Sequence, residues 1–537
     1  MKTLSALGEL EMPDSGSLYN RLALVLALVA TSTLVLLAST ISTTASGLGE
    51  RVWHVYSNGT VIAPDGRVMI VKEPISYATG NALPNDIVIV HSGVYGESVT
   101  INKNLTIIGE GMPTIEKSPF SYSSIYIANN ASLEITGIKL SYGIEGYVVG
   151  NLVIRGSIIK NALYLDEAYG NVYIVNTTLV STASGSTINI DFKLDNAVLL
   201  INGSSIGKGG IAVHYKYPGW MYILNSKITL ESMIDLYSPF IIVIENSSIY
   251  LNSISCTHSN EVFINIVNSN ITATDYAIHT YGINHTHVTI SRSSIIANDE
   301  IVLVEGRGSV IIEKSNLQAY TIMYVSELNN LLIANSTLRA SGNVVLATSL
   351  NGTIRVQGTV ARVAWGIESN FIDGSIVRGR TTVEIIDSTI EAPYVVKIHT
   401  ATGKALSIHV RNSQITAVAP FIVQDLDGMV IANSTIISLG SPILQTTNMK
   451  GDVNVTYSKL ISKTSPVLKA LILVGVTTIH LESSEIVGYD FISIDYAKDY
   501  NVSIHIYETS VNVTRTVIST PGRVNISMKN SIISGST

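Results

Sequence analysis

From Leu133 to the last residues of the chain, an apolar triplet returns at an average spacing of about 23 residues. A period of that length marks a repeat architecture. Each unit carries an alternating pair, such as Ile242 and Ile244, Leu331 and Ile333, Met429 and Ile431, or Ile504 and Ile506, followed by a small polar turn. Five residues beyond the pair stands a third aliphatic: Ile249, Leu338, Ile436 and Val511 in those four units. Eighteen such anchors run from Leu140 to Ile533. Strict alternation specifies strands with one buried face, and no helical stripe recurs beside it. Helical repeats need two amphipathic helices per unit, and leucine-rich repeats need a Leu-rich consensus. A coil of three short strands stacked in parallel on the next coil satisfies the pattern. The expected fold is therefore all-β, a single-stranded parallel β-helix (solenoid) of about 18–20 coils, preceded by an N-terminal hydrophobic helix. At about 4.8 Å per coil, the rod is on the order of 90 Å long.

Asn recurs in the turn between pair and anchor, at Asn176, Asn225, Asn246, Asn268, Asn335, Asn412 and Asn433, usually before Ser or Thr. Stacking would align these amides into a ladder. Two residues after the anchor, Ala273, Ala297, Ala319, Ala340, Ala392 and Ala417 mark a tight bend over the core.

Charged residues make up 14% of the 537 and the net charge is −7, which gives no basic footprint for nucleic acid. The single cysteine, Cys256, excludes an intramolecular disulfide and a Cys-based metal cage. From Leu22 to Ile41 the chain carries no charge, enough to cross a bilayer. Small residues from Ser42 to Gly47 follow, as a signal peptidase would need. Either a cleaved signal peptide or an uncleaved anchor places the rest of the chain outside the cytoplasm. The organisation expected is a short leading segment over 1–21, the apolar segment over 22–41, a linker with opening strands over 42–73 and the β-helix over 74–537.

The segment Pro84 to Val90, then Gly93-Val94-Tyr95, Glu97 to Ile101 and Asn104 to Gly109, resembles the first coils of pectin-lyase-like right-handed β-helices. It is similar to the carbohydrate-binding and sugar-hydrolase type of repeat, which includes the periplasmic copper-binding maturation β-helix family. The resemblance implies right-handed coiling over roughly residues 75–537; a fold alone does not imply a reaction. Polysaccharide-cleaving relatives would carry clustered Asp with a catalytic Arg or Lys, or a Gly-His-Gly and Arg-x-Lys set. None of those motifs is present.

A β-helix site must be assembled from adjacent coils, because eight coils span about 40 Å. Asp275 and Asp299 fall four residues after their anchors, Glu305 and Glu327 ten, and His258 and His279 nine and eight. Together these form the densest acidic and histidine patch the repeat can build. Paired carboxylates there could perform acid–base work on a glycosidic bond or hold Ca²⁺ at surface turns; no other cofactor is indicated. Two long units read as protruding loops. One carries Asp191, Lys193 and Asp195; the other carries Trp365, Glu368, Asp373, Arg378 and Arg380, and its Trp365 beside Arg and Asp is the candidate for stacking on a sugar ring. His480 and His505 share outward positions in neighbouring coils. Fifteen Asn-x-Ser/Thr sequons occur. Asn58, Asn104, Asn130, Asn202, Asn270, Asn284, Asn351, Asn454, Asn501, Asn512 and Asn525 are the glycosylation candidates, whereas Asn176, Asn246, Asn335 and Asn433 arise from the ladder itself and are expected to be inaccessible.

With no cap visible after Ile533, the final coil offers an open end for a second copy or another surface protein. The leading expectation is an exported structural or adhesive cell-surface rod without enzymatic activity, held at the membrane through residues 22–41 where these are uncleaved. The alternative is a carbohydrate-active enzyme, lyase or glycoside hydrolase, or a sugar-binding module that engages polysaccharide along the rod.

Overall fold

The computed structural model describes residues 51–537 apart from 120, 182–184, 367–368, 402–405, 475–476, 497–500 and 536–537. The expected helix over 22–41 lies outside the described residues. Among the described residues no helix is long and apolar enough to cross a membrane.

The apolar period closes into a parallel β-solenoid. All eighteen anchors lie in one continuous parallel ladder, rung on rung from Leu140 to Ile533. The ladder extends backwards through Ile115 to Tyr95. Each coil has three strands, here exemplified by Glu261–Val267 in the pair sheet, Asn270–Ala273 in the anchor sheet and Ile278–Ser291, which begins in the third sheet. That last strand runs round a corner into the next coil's pair sheet, with a register shift between Tyr281 and His285 instead of a turn. Inward Ile, Val and Leu from all three sheets form one buried column, Ile264, Ile266, Ile271 and Ile278 among them.

The turn slot selects Asn for its backbone as well as its amide. Asn176, Asn225, Asn246, Asn268, Asn335, Asn412 and Asn433 all have φ between 47° and 51°, the left-handed region that Asn tolerates better than other side chains with a Cβ. The amide ladder is real but short: Asn225, Asn246 and Asn268 each donate Nδ2 to the Oδ1 of the Asn one coil earlier, at 3.0, 3.2 and 2.6 Å. The longer ladder is the buried hydroxyl that follows. Ser204, Ser226, Ser247, Ser269 and Ser293 each donate their backbone N–H to the next coil's Ser Oγ at 3.1 to 3.2 Å. Each of these hydroxyls donates in turn to a carbonyl two residues back. The Ala positions after the anchors are buried and stacked, Ala273 on Ala297 and Ala392 on Ala417.

The opening strands form an antiparallel meander, Val52–Val55, Thr60–Ile62 and Val68–Ile70. Its first strand pairs in parallel with Ile87–Val90 and so begins the solenoid. Helix α1, Pro74–Asn81, covers this end, burying Ile75 and Ala78. Buried Glu97 supplies the missing N-terminal partners: its two carboxylate oxygens accept from the backbone N–H of Ile75 at 3.0 Å and of Ser76 at 2.8 Å. Lys103 donates to the carbonyls of Gly80 and Ala82 at the other end. At the far end of the rod, Ile526, Met528 and Ile532 are exposed.

Candidate functional site

On the third sheet, the outward positions of successive coils align by register. One column runs Glu145, Tyr164, Asn189, Ala212, Asp235, Ser255 and His279. Beside it, two residues further along each strand, run Asp191, His214, Tyr237, Thr257, Tyr281 and Glu305. Tyr164, Tyr237 and Tyr281 are exposed, and Tyr237 stacks on His258 with ring centroids 4.5 Å apart. Tyrosine bodies with carboxylate and imidazole tips give this face both apolar area and polar reach.

The face ends at a corner where acidic groups gather. The Asp299 N–H donates to the Asp275 carbonyl at 3.3 Å, so the two residues stack on adjacent coils as their spacing predicts. Glu300 follows Asp299. Burial pushes its carboxyl up to about 7, helped by the charge of Asp299, to which it is hydrogen-bonded, and by Asp275. The Tyr276 hydroxyl is raised as well, by burial and by Asp275, Asp299 and Glu300. Its ring lies 5.4 Å from that of His279, whose Nε2 is 3.2 Å from Glu305 Oε1. A carboxylic acid that keeps its proton near neutrality, one rung from Asp275, is the pairing that acid–base chemistry at a glycosidic oxygen requires.

Of the patch expected from spacing, Asp275, Asp299, Glu305 and His279 come together, but Glu327 does not. The expected equivalence of Glu305 and Glu327 fails because these two coils lose register twice, once between the Ile296–Gln318 and Glu300–Thr321 pairs and again between Val304–Val325 and Arg307–Glu327. Glu305 is the register partner of Tyr281 in the coil before, and Glu327 lies opposite Arg307 with a 3.2 Å ion pair. His258 and His279 are not equivalent either, since His279 lies opposite Ser255 and His258 occupies a left-handed turn with φ 58°. Spacing missed Tyr276 and Glu300. The signal available was the acidic doublet Asp299-Glu300 at the turn.

The long units are not simple loops. Asp191 lies near the end of a strand, Ser186–Phe192, and is paired with Lys193 at 2.6 Å; Asp195 lies in the short turn beyond. Trp365 is exposed beyond the strand Val360–Val363, Glu368 lies outside the described residues, and Asp373, Arg378 and Arg380 lie on the strand Asn370–Ile386. Asp373 accepts from Asn370 Nδ2 at 2.7 Å and is 3.2 Å from His399 Nε2, while Lys397 is its register partner. His480 and His505 are partners in adjacent coils, as expected, with ring centroids 6.4 Å apart. Among the described residues no three His, Cys, Asp or Glu side chains are grouped to hold a metal ion. Cys256 is fully buried. The ladder asparagines Asn176, Asn246, Asn335 and Asn433 are exposed, contrary to expectation, because it is the following hydroxyl that turns inward.

No family model matches this chain, and no curated protein matches it. Among solved structures, the PL6 family alginate lyase AlyGC matches over 90% of this chain and 100% of its own, at 9% identity and a TM-score of 0.25. An arginine mutant of the same lyase matches over 86% of this chain and 99% of its own, at 10% identity and a TM-score of 0.29. The expectation of a structural or adhesive rod without activity is corrected on this finding, because the matching chains are polysaccharide-cleaving enzymes. At those scores the likeness assigns neither substrate nor residues here.

Proposed function

We propose that this chain is an exported, carbohydrate-directed β-helix of the pectin-lyase-like, right-handed kind, which lays a neutral polysaccharide along its third sheet and hydrolyses it at the Glu300 corner. The observation that carries the reading is the Glu300 carboxyl, held near neutrality by burial and by Asp299 beside Tyr276 and His279. In this scheme Glu300 gives its proton to the glycosidic oxygen, and Asp275, one coil away, acts on the opposite side as base or nucleophile. Tyr237 and Tyr281 stack on sugar rings in neighbouring subsites. A polyuronate is disfavoured because Asp235, Asp275, Asp299 and Glu305 would repel its carboxylates. Right-handed coiling is supported by the strong preference of parallel crossovers for that hand. Export is supported by the uncharged run from Leu22 to Ile41 and by the exposed sequons at Asn58, Asn104, Asn130, Asn270, Asn284, Asn351, Asn501, Asn512 and Asn525.

The test is retention on a panel of neutral and acidic polysaccharides, with reducing ends counted over time. Wild type should release reducing ends from a neutral polymer, and Glu300→Gln should bind it but release none. Failure of the Tyr237→Ala, Tyr281→Ala double variant to lower retention would sink the assignment of the face. Release with formation of an unsaturated, ultraviolet-absorbing product would replace hydrolysis by elimination.

A further inference from the structure

Far from that corner, the first coil brings together two imidazoles that are separated by a hairpin, a helix and a strand in the sequence. His54 projects outward from the strand Val52–Val55, and His91 stands at the end of its parallel neighbour Ile87–Val90. His54 Nδ1 and His91 Nε2 face each other at 3.1 Å. On its other side, His91 Nδ1 is 2.9 Å from Glu110 Oε2. The His91 ring is clamped in place. Tyr56 stacks on it with centroids 4.1 Å apart, and the Tyr95 hydroxyl donates to the His91 carbonyl at 2.6 Å.

The geometry points to a divalent transition-metal site, of the Zn²⁺ class, with His54 Nδ1 and His91 Nε2 as its two protein ligands. Two nitrogens on one tetrahedral Zn²⁺, each about 2.0–2.1 Å from it, lie roughly 3.3 Å apart, which is close to the separation already built. The Glu110 carboxylate accepts the Nδ1–H of His91, so the lone pair of that ring is on Nε2, facing His54. This is the carboxylate–imidazole arrangement that orients metal-bound histidines elsewhere. Without metal, His54 donates its Nδ1–H across the gap. On metal binding His54 takes its other neutral tautomer, with the proton on Nε2, and Nδ1 becomes a ligand. Both rings are partly exposed, which leaves room for water to complete the coordination. The site uses none of the residues proposed for carbohydrate chemistry.

The experiment is a calorimetric titration of the full chain with Zn²⁺, repeated with Co²⁺ to read the ligand-field absorption. The expected result is one saturable site per chain with a tetrahedral or five-coordinate Co²⁺ spectrum, lost in His54→Gln and in His91→Gln. Glu110→Gln keeps both ligands and should weaken binding 10- to 100-fold. Thermal melts of each variant separate loss of a ligand from loss of the fold. No saturable site in a folded wild type, or a site that persists with either histidine replaced, overturns the assignment.

Discussion

Replacing Glu300 by Gln should stabilise the protein above neutral pH and do nothing below about pH 4. Its carboxyl titrates at about 7 instead of the ordinary 4.5, so between those values the folded state holds a proton that the unfolded state has released. Stability contributed by the neutral form is fully present below 4.5 and is lost as pH rises through 7. By linkage at ~1.36 kcal/mol per pH unit, a gap of about 2.5 (7 minus 4.5) is on the order of 3 kcal/mol. The group is only about half buried, and solvent screening reduces the figure to about 1 kcal/mol. Gln keeps a hydrogen bond to Asp299 without ever ionising. Because a solenoid opens locally, the readout is amide hydrogen exchange in the coils between Asn270 and Tyr324, compared between variant and wild type at matched pH. About 1 kcal/mol corresponds to roughly fivefold slower opening in the variant at pH 8. An unchanged ratio between pH 4 and pH 8, or faster exchange in the variant at pH 8, would refute the argument.

Removing one hydroxyl from the buried ladder, as in Ser269→Ala, leaves the Ser247 N–H without its 3.1 Å partner and should cost about 1–3 kcal/mol. Chemical denaturation would show it, and an equal loss from Asn246→Ala on the exposed amide ladder would contradict the ranking. Glu97→Ala strips helix α1 of two N–H partners. Faster exchange confined to residues 52–110 is the expected outcome, with a rod that otherwise melts as before. Ile264→Ala opens a void in a fully enclosed stack and should cost about 2–5 kcal/mol, measured by the same denaturation. Arg307→Ala frees Glu327 on a half-exposed surface, so its effect should stay within about 1 kcal/mol.

The period of the apolar triplet was sufficient to place every anchor in its ladder, because inward positions in a solenoid repeat with the coil and any slip would expose the core. Turn residues were legible for a related reason: a left-handed slot recurs in each coil and favours Asn. The serine ladder was hidden inside the same motif. A Ser after Asn looks like an ordinary turn residue until the stacking shows its hydroxyl turned inward.

Site geometry depends on departures from the repeat, and those are where counting along the chain failed. Register slips twice between the coils that carry Glu305 and Glu327, so Glu327 lands opposite Arg307 while Glu305 stays beside His279 in step with its anchor. Residues counted as equivalent therefore lie on different columns. The environment of Glu300 is likewise a product of stacking, since its raised carboxyl depends on burial and on Asp275 from the coil before. The meeting of His54 and His91 follows from a meander and a helix returning the chain to its first strand. Sequence alone determined the solenoid, its strands and its core, which follow from local alternation repeated at a fixed period. Tertiary structure decided which polar groups meet, because corners and crossovers carry no period, and a shift of one residue moves a side chain to the opposite face.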